Sequence, residues 1–169
     1  MDFSVKISGI DEDIAINLPP NQLAEHFARE KAHAVSVDYP KQLVIGADTI
    51  VVFDGQILGK PKDNEHSYQM LSILSGNTHQ VITGVALQLR DKNLDETFHA
   101  VTKVTFNTLS DSDIYYYIDT YKPFDKAGSY GIQDWFSVCV NRIDGCFYNV
   151  MGFPLSSFYS HFIDLLETQ

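Results

Sequence analysis

One strongly apolar stretch of this chain, residues 43–53, carries a carboxylate in its middle. The stretch is rich in Val, Ile and Leu, so it predicts a central strand that is buried on both faces. Because burying an unpaired carboxylate is costly or forces its protonation, we expect Asp48 to meet a cation, a metal ion or a water-filled cleft. Gly46 and Ala47 are small enough to let a ligand approach the backbone. The alternative is an aspartate that caps a local turn, although apolar residues resume the strand at 50–53.

Composition favours a single globular domain without a large cationic surface. The chain has 169 residues, of which 44% are hydrophobic and 20% charged, so we expect one domain over residues 1–169. The formal charge is −10 and no run of Lys or Arg occurs, so we expect neither a nucleic-acid partner nor a membrane surface. The apolar stretch is too short to cross a bilayer and no leader opens the chain, so we expect a cytoplasmic protein.

Apolar periodicity and turn residues predict the remaining elements. The predicted strands are residues 1–7, 43–53, 56–58, 78–90, 98–106, 135–143 and 147–150. The predicted helices begin at Pro19-Pro20, after the N-cap Asp63, at the capping box of Ser110, and at Pro154. Asp-Gly pairs at 54–55 and 144–145 predict tight hairpins. Together these elements predict a single α/β domain with a mixed, twisted sheet and flanking helices.

Three lysines occupy positions from which they can reach a cleft. Lys31 shares a face of the first helix with small, inward-packing residues, so its ammonium either reaches a cleft at the sheet or extends along the surface to water. Lys60 follows the short strand 56–58 after one glycine, and Lys62 leaves the same strand end with it. Lys126 lies in the segment 125–133, whose small residues let backbone N–H groups and Lys126 surround an anion.

These polar residues stand in motifs that resemble the Maf nucleoside triphosphate pyrophosphatases. The matching stretches, in chain order, are Ser-Gly-Ile-Asp-Glu (8–12), Ala-Arg-Glu-Lys-Ala (28–32), Ile-Gly-Ala-Asp-Thr-Ile-Val (45–51), Leu-Gly-Lys-Pro (58–61), Leu-Ser-Gly-Asn-Thr-His (74–79), Asp-Lys-Ala-Gly-Ser-Tyr-Gly-Ile-Gln (125–133) and Asn-Val-Met-Gly-Phe-Pro-Leu (149–155). Taken together they are specific, and the resemblance implies a fold like that of the Maf and Ham1 inosine-triphosphatase proteins.

The resemblance also implies an activity, which is the hydrolysis of a nucleoside triphosphate to the monophosphate and pyrophosphate with Mg²⁺ or Mn²⁺. The family residues important for activity match Glu12, Lys31, Asp48 and Lys60. Phosphoryl transfer needs positive charge on phosphate oxygens and a positioned nucleophile, so the two lysines are expected to clamp phosphates. Glu12 and Asp48 are expected to hold metal or water. The sequence leaves open whether Asp48 is a metal ligand or the base that deprotonates the water.

The resemblance extends to substrate class. Members that act on dTTP and UTP share Gly-Ala-Asp-Thr and Lys-Ala-Gly-x-Tyr-Gly-Ile-Gln with this chain, whereas the 7-methyl-GTP branch differs after the Asp and lacks the Lys and Gln. Thr49, Lys126 and Gln133 are therefore expected to bind a pyrimidine nucleotide. The choice is chemically sensible, because a Gln amide can pair with both a carbonyl and the imide N–H of uracil or thymine.

Two departures from the family pattern bear on this expectation. First, nothing like the family's opening strand and phosphate-facing Ser-x-Ser-Pro-Arg-Arg loop precedes Met1, so the resemblance implies a domain truncated at its N-terminus. Second, residues 134–137 stand where many members carry glycines. A missing strand would expose a sheet edge, so a homodimer is a further expectation. Three functions stay open: an active pyrimidine-triphosphate pyrophosphatase, a non-catalytic nucleotide-binding relative, and a scaffold for a partner protein.

Overall fold

The computed structural model describes residues 3–10 and 16–167 and consists of helices packed on one sheet. In chain order the helices and strands are α1 (Pro20–Ser36), β1 (Val44–Phe53), β2 (Gln56–Leu58), α2 (Asn64–Leu74), β3 (Thr78–Leu89), β4 (Leu94–Phe106), α3 (Asp111–Tyr121), β5 (Val140–Asp144), α4 (Phe147–Val150) and α5 (Leu155–Glu167). Within these residues no helix has the length and apolar character needed to cross a membrane.

The sheet has five strands in the order β2-β1-β3-β4-β5, which confirms the predicted α/β class with flanking helices. Every strand pair of the described residues is antiparallel, where a mixed sheet was expected. The β1–β2 connection explains one of these pairings. Asp54 and Gly55 have φ of 48° and 75°, as a tight hairpin turn requires, and such a turn can join only antiparallel strands.

Helix α1 lies directly on the sheet over two glycines. A Cβ atom on Gly46 would stand 2.2 Å from the carbonyl oxygen of Ala28, and one on Gly84 would stand 2.3 Å from the backbone of Ala24. The helix therefore fills the space on the Cβ side of Gly46, whereas Ala47, the other small residue predicted to admit a ligand, lines a cavity. This close approach brings Lys31 of α1 against β1.

The opposite face of the sheet carries the main core, which is built largely from aromatic rings. The ring of Phe106 packs edge to face on Tyr130 and on Phe136, with both centroids 4.8 Å away. Helices α2 and α3 cover this face and begin as predicted, since the Asp63 carboxylate accepts from the backbone N–H of His66 and Ser110 forms a capping box. Interlocking rings of this kind hold the surrounding loops in place.

Two strands predicted from alternating side chains are absent. Residues 3–10 form no strand, and Phe3, Val5 and Ile7 are at least 83% exposed. Alternation predicted a strand there, but no strand of the described residues pairs with this segment, and a strand needs a partner for its backbone hydrogen bonds.

The predicted hairpin of 135–143 with 147–150 is also wrong. Only Val140–Asp144 is a strand, and Phe147–Val150 is a helix. The side-chain oxygen of Thr102 accepts from the backbone N–H of Cys146 at 3.0 Å and donates to its carbonyl at 3.2 Å, which holds the chain in a turn instead of a second strand. Both cysteines, Cys139 and Cys146, are free thiols.

Candidate functional site

A cavity of about 380 Å³ lies where β1 loses its strand neighbour. Strand β2 pairs only with residues 51–53 of β1, so no strand of the described residues lies beside residues 44–50 on that edge. Successive residues of a strand point to opposite faces of a sheet, and a cavity that wraps around an open edge can receive both. Asp48 on the α1 face and Thr49 on the other face therefore line one cavity.

The cavity brings together the site residues predicted from the sequence, apart from Glu12, which lies outside the described residues. The predicted residues in its wall are Lys31, Asp48, Thr49, Lys60, Lys126 and Gln133. They come from α1, β1, the segment after β2 and the loop of 125–133. A second cavity of about 740 Å³ shares Asp48, Thr49 and Lys60, so the two form one groove across the strand edge.

Asp48 is buried and binds a cation, as predicted. Its side chain is 8% exposed, and its Oδ1 accepts a hydrogen bond from Lys31 Nζ at 2.6 Å. The Lys31 side chain is 22% exposed, so this lysine reaches the cleft and does not extend to the surface. Asp48 lies within β1, which excludes the turn-cap alternative. A charge-assisted hydrogen bond of this kind holds both groups in a fixed orientation at the cavity wall.

The other two lysines lie near a second carboxylate that the sequence analysis did not single out. Lys126 Nζ donates to Asp125 Oδ1 at 2.9 Å, and this bond, with smaller contributions from the charges of Lys126 and Lys60, holds the pKa of Asp125 below its usual range. The backbone N–H of Gly128 donates to the carbonyl of Gly59 at 3.1 Å, which ties the loop to the segment that carries Lys60. The cavity wall thus holds three lysines and two aspartates.

The loop that carries Lys126 and Gln133 is held by buried hydrogen bonds. Ser129 adopts a φ of 63°, and its hydroxyl lies 2.5 Å from that of Ser67 on α2. The backbone N–H of Gly131 donates to the hydroxyl of Tyr117, which donates to Asp134 Oδ2 at 3.0 Å. Asp134, noted as a departure from the family pattern, therefore positions the loop. A non-glycine residue at positive φ persists only where its surroundings fix it, as they do here.

His79 holds the middle of this loop through Tyr130. Its Nε2 lies 2.8 Å from the hydroxyl of Tyr130, a cavity-lining residue, and its ring packs on Phe106 with centroids 4.7 Å apart. Burial lowers the pKa of His79 to about 4. Burial also raises the pKa of Tyr130, so both side chains are neutral near pH 7.

We expect the buried His79 to make the protein lose stability as the pH falls. The folded protein binds a proton at His79 only near pH 4, whereas the unfolded chain binds one at its ordinary pKa of 6.5, so protons favour unfolding between these values. The His79 contribution to the free energy of unfolding should drop by roughly 2 kcal/mol from about pH 7.5 to about pH 5. Urea unfolding at both pH values measures it. A His79→Phe variant keeps a ring but cannot titrate, and an equal pH dependence in that variant would contradict the assignment.

A line of hydrogen bonds runs behind Thr49 into the core. The hydroxyl oxygens of Thr49 and Thr83 are 2.9 Å apart, and Thr83 Oγ1 donates to the carbonyl of Asn149 at 2.9 Å. The Asn149 amide in turn donates to the carbonyl of Val81 and to Thr102 Oγ1, both at 3.0 Å. Sequence reasoning assigned no role to Thr83, His79 or Asn149. Thr83 lies in an apolar strand pattern and could not have been singled out. His79 and Asn149 belong to the family motifs at 74–79 and 149–155, and these motifs could have indicated them.

Comparison with known proteins identifies the family of this chain. The family model for Maf-like protein matches residues 1–165. Relatives named dTTP/UTP pyrophosphatase include one from Bacillus pumilus, 46% identical over 154 residues (91% of this chain and 80% of the relative), and one from Porphyromonas gingivalis, 45% identical over 163 residues (94% and 81%). Another, from Cytophaga hutchinsonii, is 42% identical over 168 residues (99% and 74%). The chain belongs to the family of Maf-like proteins.

Proposed function

We propose that this protein hydrolyses dTTP and UTP to the corresponding monophosphate and pyrophosphate. The observation that carries the proposal is the meeting of lysines, a buried carboxylate and a pocket amide around one cavity at the open edge of β1. The names of the relatives, dTTP/UTP pyrophosphatase, support the choice of substrate. Nucleoside triphosphates are cytoplasmic metabolites, so the cytoplasm is the compartment that we propose, and cell fractionation checks it.

The residues divide into those that hold phosphate and those that meet the base. Lys31, Lys60 and Lys126 supply positive charge, which phosphoryl transfer requires on the phosphate oxygens. Asp48 is the buried carboxylate in the wall, and we assign it to orienting or deprotonating the attacking water. Gln133 offers its amide N–H to a ring carbonyl of the base, and its exposed side chain can adjust to the ring.

The donor set suits Mg²⁺ or Mn²⁺ bound together with the substrate. No group of three or more His, Cys, Asp or Glu residues that could hold a metal ion occurs in residues 3–10 and 16–167. Mg²⁺, however, is usually held by one or two carboxylates, waters and the substrate phosphates, and Asp48 can provide such a carboxylate. The ion would neutralise charge on the phosphates. Glu12 stays a predicted ligand outside the described residues.

An assay for inorganic pyrophosphate release tests the proposal. Purified protein is incubated with dTTP, UTP, CTP, ATP and GTP, each with Mg²⁺ or Mn²⁺, and coupled to an added inorganic pyrophosphatase. We expect release from dTTP and UTP above the purine triphosphates. If no triphosphate is hydrolysed while dTTP still raises the melting temperature, the protein is a non-catalytic nucleotide binder. If dTTP is neither hydrolysed nor raises the melting temperature, the proposal of a nucleotide-related function is wrong.

Gln133 is expected to set base preference more than rate. An amide paired to the ring edge rejects bases that leave it unsatisfied, so Gln133→Ala should narrow the gap in kcat/KM between dTTP and ATP by about tenfold. The matched control is Gln69→Ala, because the amide of Gln69 donates to Glu65 on an exposed face of α2. An unchanged preference in Gln133→Ala would move base recognition to other residues.

A further inference from the structure

The hydroxyl of Thr49 lies in the cavity wall and contacts the hydroxyl of a buried threonine. Thr49 lines the cavity, and its Oγ1 lies 2.9 Å from Oγ1 of Thr83, which is 0% exposed. Thr83 Oγ1 also lies 2.9 Å from the carbonyl oxygen of Asn149. Because Thr83 is fully buried, the direction of these two contacts follows from the donors and acceptors that the three residues offer.

A threonine hydroxyl has one proton and can donate one hydrogen bond. The carbonyl of Asn149 can only accept, so the proton in the Thr83–Asn149 contact belongs to Thr83. If Thr83 donated to Thr49 instead, two acceptor oxygens would face each other at 2.9 Å in a buried place with no proton between them. The arrangement that places a proton in both contacts has Thr49 donating to Thr83 and Thr83 donating to Asn149.

We infer that Thr83 holds Thr49 as a pure hydrogen-bond acceptor toward the cavity, and that the imide N3–H of uracil or thymine is the donor it receives. The inference rests on the proposed function. With its proton committed to Thr83, Thr49 presents only lone pairs, which repel the oxygens of a phosphate and attract an N–H group. Thr83 is thus a positioning residue for base choice, although it does not line the cavity.

The chemistry of the pyrimidine ring explains why such an acceptor discriminates. Uracil and thymine carry a donor at N3, whereas cytosine carries a lone pair there, so an acceptor placed at N3 favours the first two and repels the third. Placing two buried acceptors opposite each other costs more free energy than a typical hydrogen bond contributes. The neighbouring side chain on the strand, Asp48, points to the other face of the sheet and binds Lys31.

The fold can tolerate removal of the Thr83 hydroxyl. The carbonyl of Asn149 also accepts from the backbone N–H of Gly152 at 3.0 Å, so it keeps a partner in Thr83→Val. Valine retains the branched shape of threonine on the strand. In this variant the Thr49 proton loses its acceptor and is released to the cavity, where it can donate to N3 of cytosine.

The experiment compares kcat/KM for UTP and CTP in the wild type, Thr83→Val and Thr83→Ser, with melting temperatures for all three. The ratio of UTP to CTP should fall by about tenfold in Thr83→Val and be retained in Thr83→Ser, which keeps the hydroxyl. The matched control is Thr105→Val, since Thr105 shares a hydrogen bond with Thr78 on an exposed part of the sheet. That variant should leave the ratio unchanged.

Two results would overturn the inference, and a third would change the measurement that decides it. An unchanged UTP-to-CTP ratio in a folded Thr83→Val protein overturns it. A changed ratio of UTP to dUTP with an unchanged ratio of UTP to CTP makes the ribose 2′-hydroxyl the donor and overturns the assignment to the base. If the wild type hydrolyses no triphosphate, the proposed function fails separately, and the Kd values of UTP and CTP by calorimetry in EDTA then decide the inference on the same variants.

Discussion

Asp48→Asn should fold normally and lose pyrophosphatase activity by about 100-fold or more. The amide has the shape of the carboxylate, so packing in β1 is kept, but it cannot accept a proton from water and is a poor ligand for Mg²⁺. The hydrogen bond from Lys31 loses its charged acceptor. The measurement is kcat/KM for dTTP with Mn²⁺, together with far-ultraviolet circular dichroism and a melting curve to show that the fold is intact.

The same substitution at an aspartate outside the cavity tests whether removal of any one negative charge reduces activity, or only removal of the charge at Asp48. Asp119 lies on α3 with a side chain 68% exposed, away from the cavity, and Asp119→Asn should retain wild-type kcat/KM. Wild-type turnover by Asp48→Asn would remove Asp48 from the reaction. A loss of activity with an equal loss of structure would assign Asp48 to folding.

Gly46→Ala should destabilise the protein strongly for a change of one methyl group. The new Cβ would lie 2.2 Å from the carbonyl oxygen of Ala28 and 2.8 Å from the backbone nitrogen of Ala32, so the whole of α1 must move away from β1. Overpacking against a backbone has no side-chain rotation to relieve it, and we expect a loss of about 3 kcal/mol. The melting temperature should fall by roughly 6–12 °C. Activity should fall further, because α1 carries Lys31 to Asp48.

The control for this prediction is Gly55→Asn in the β1–β2 turn. Gly55 has a φ of 75° and open space at its Cβ position, and asparagine tolerates positive φ, so we expect a change below about 1 kcal/mol. Urea unfolding of both variants gives the comparison. Equal stability of Gly46→Ala and the wild type would show that α1 does not press on the sheet as described.

Local rules predicted much of the fold, because they depend on residues close together in the chain. The Asp63 cap, the Ser110 capping box and the Asp54-Gly55 turn all involve contacts within a few residues, and all three were predicted. Alternation alone did not distinguish a paired strand from the exposed residues 3–10, because pairing depends on a partner elsewhere. The helix of 147–150 was likewise decided by Thr102, far away in the chain.

The candidate site shows the same division. Asp48 could be recognised because a carboxylate in an apolar strand demands a partner, and the chain offered Lys31 on a helix face. Thr83 could not be recognised, since threonine is common in strands and its contact with Asn149 joins residues 66 positions apart. The motifs were needed to group residues from four separate segments, which no periodicity connects.

The open edge of β1 also bears on how this protein could be redesigned. Asp48 packs among residues of α1, whereas the hydroxyl of Thr49 packs among β3 and α4, although the two residues are adjacent in sequence. Changes around Thr49, Thr83 and Asn149 therefore alter one layer of the molecule, and changes around Lys31 and Asp48 alter the other. A mutant library confined to the first layer can search for new base preferences while every clone retains the Lys31–Asp48 pair.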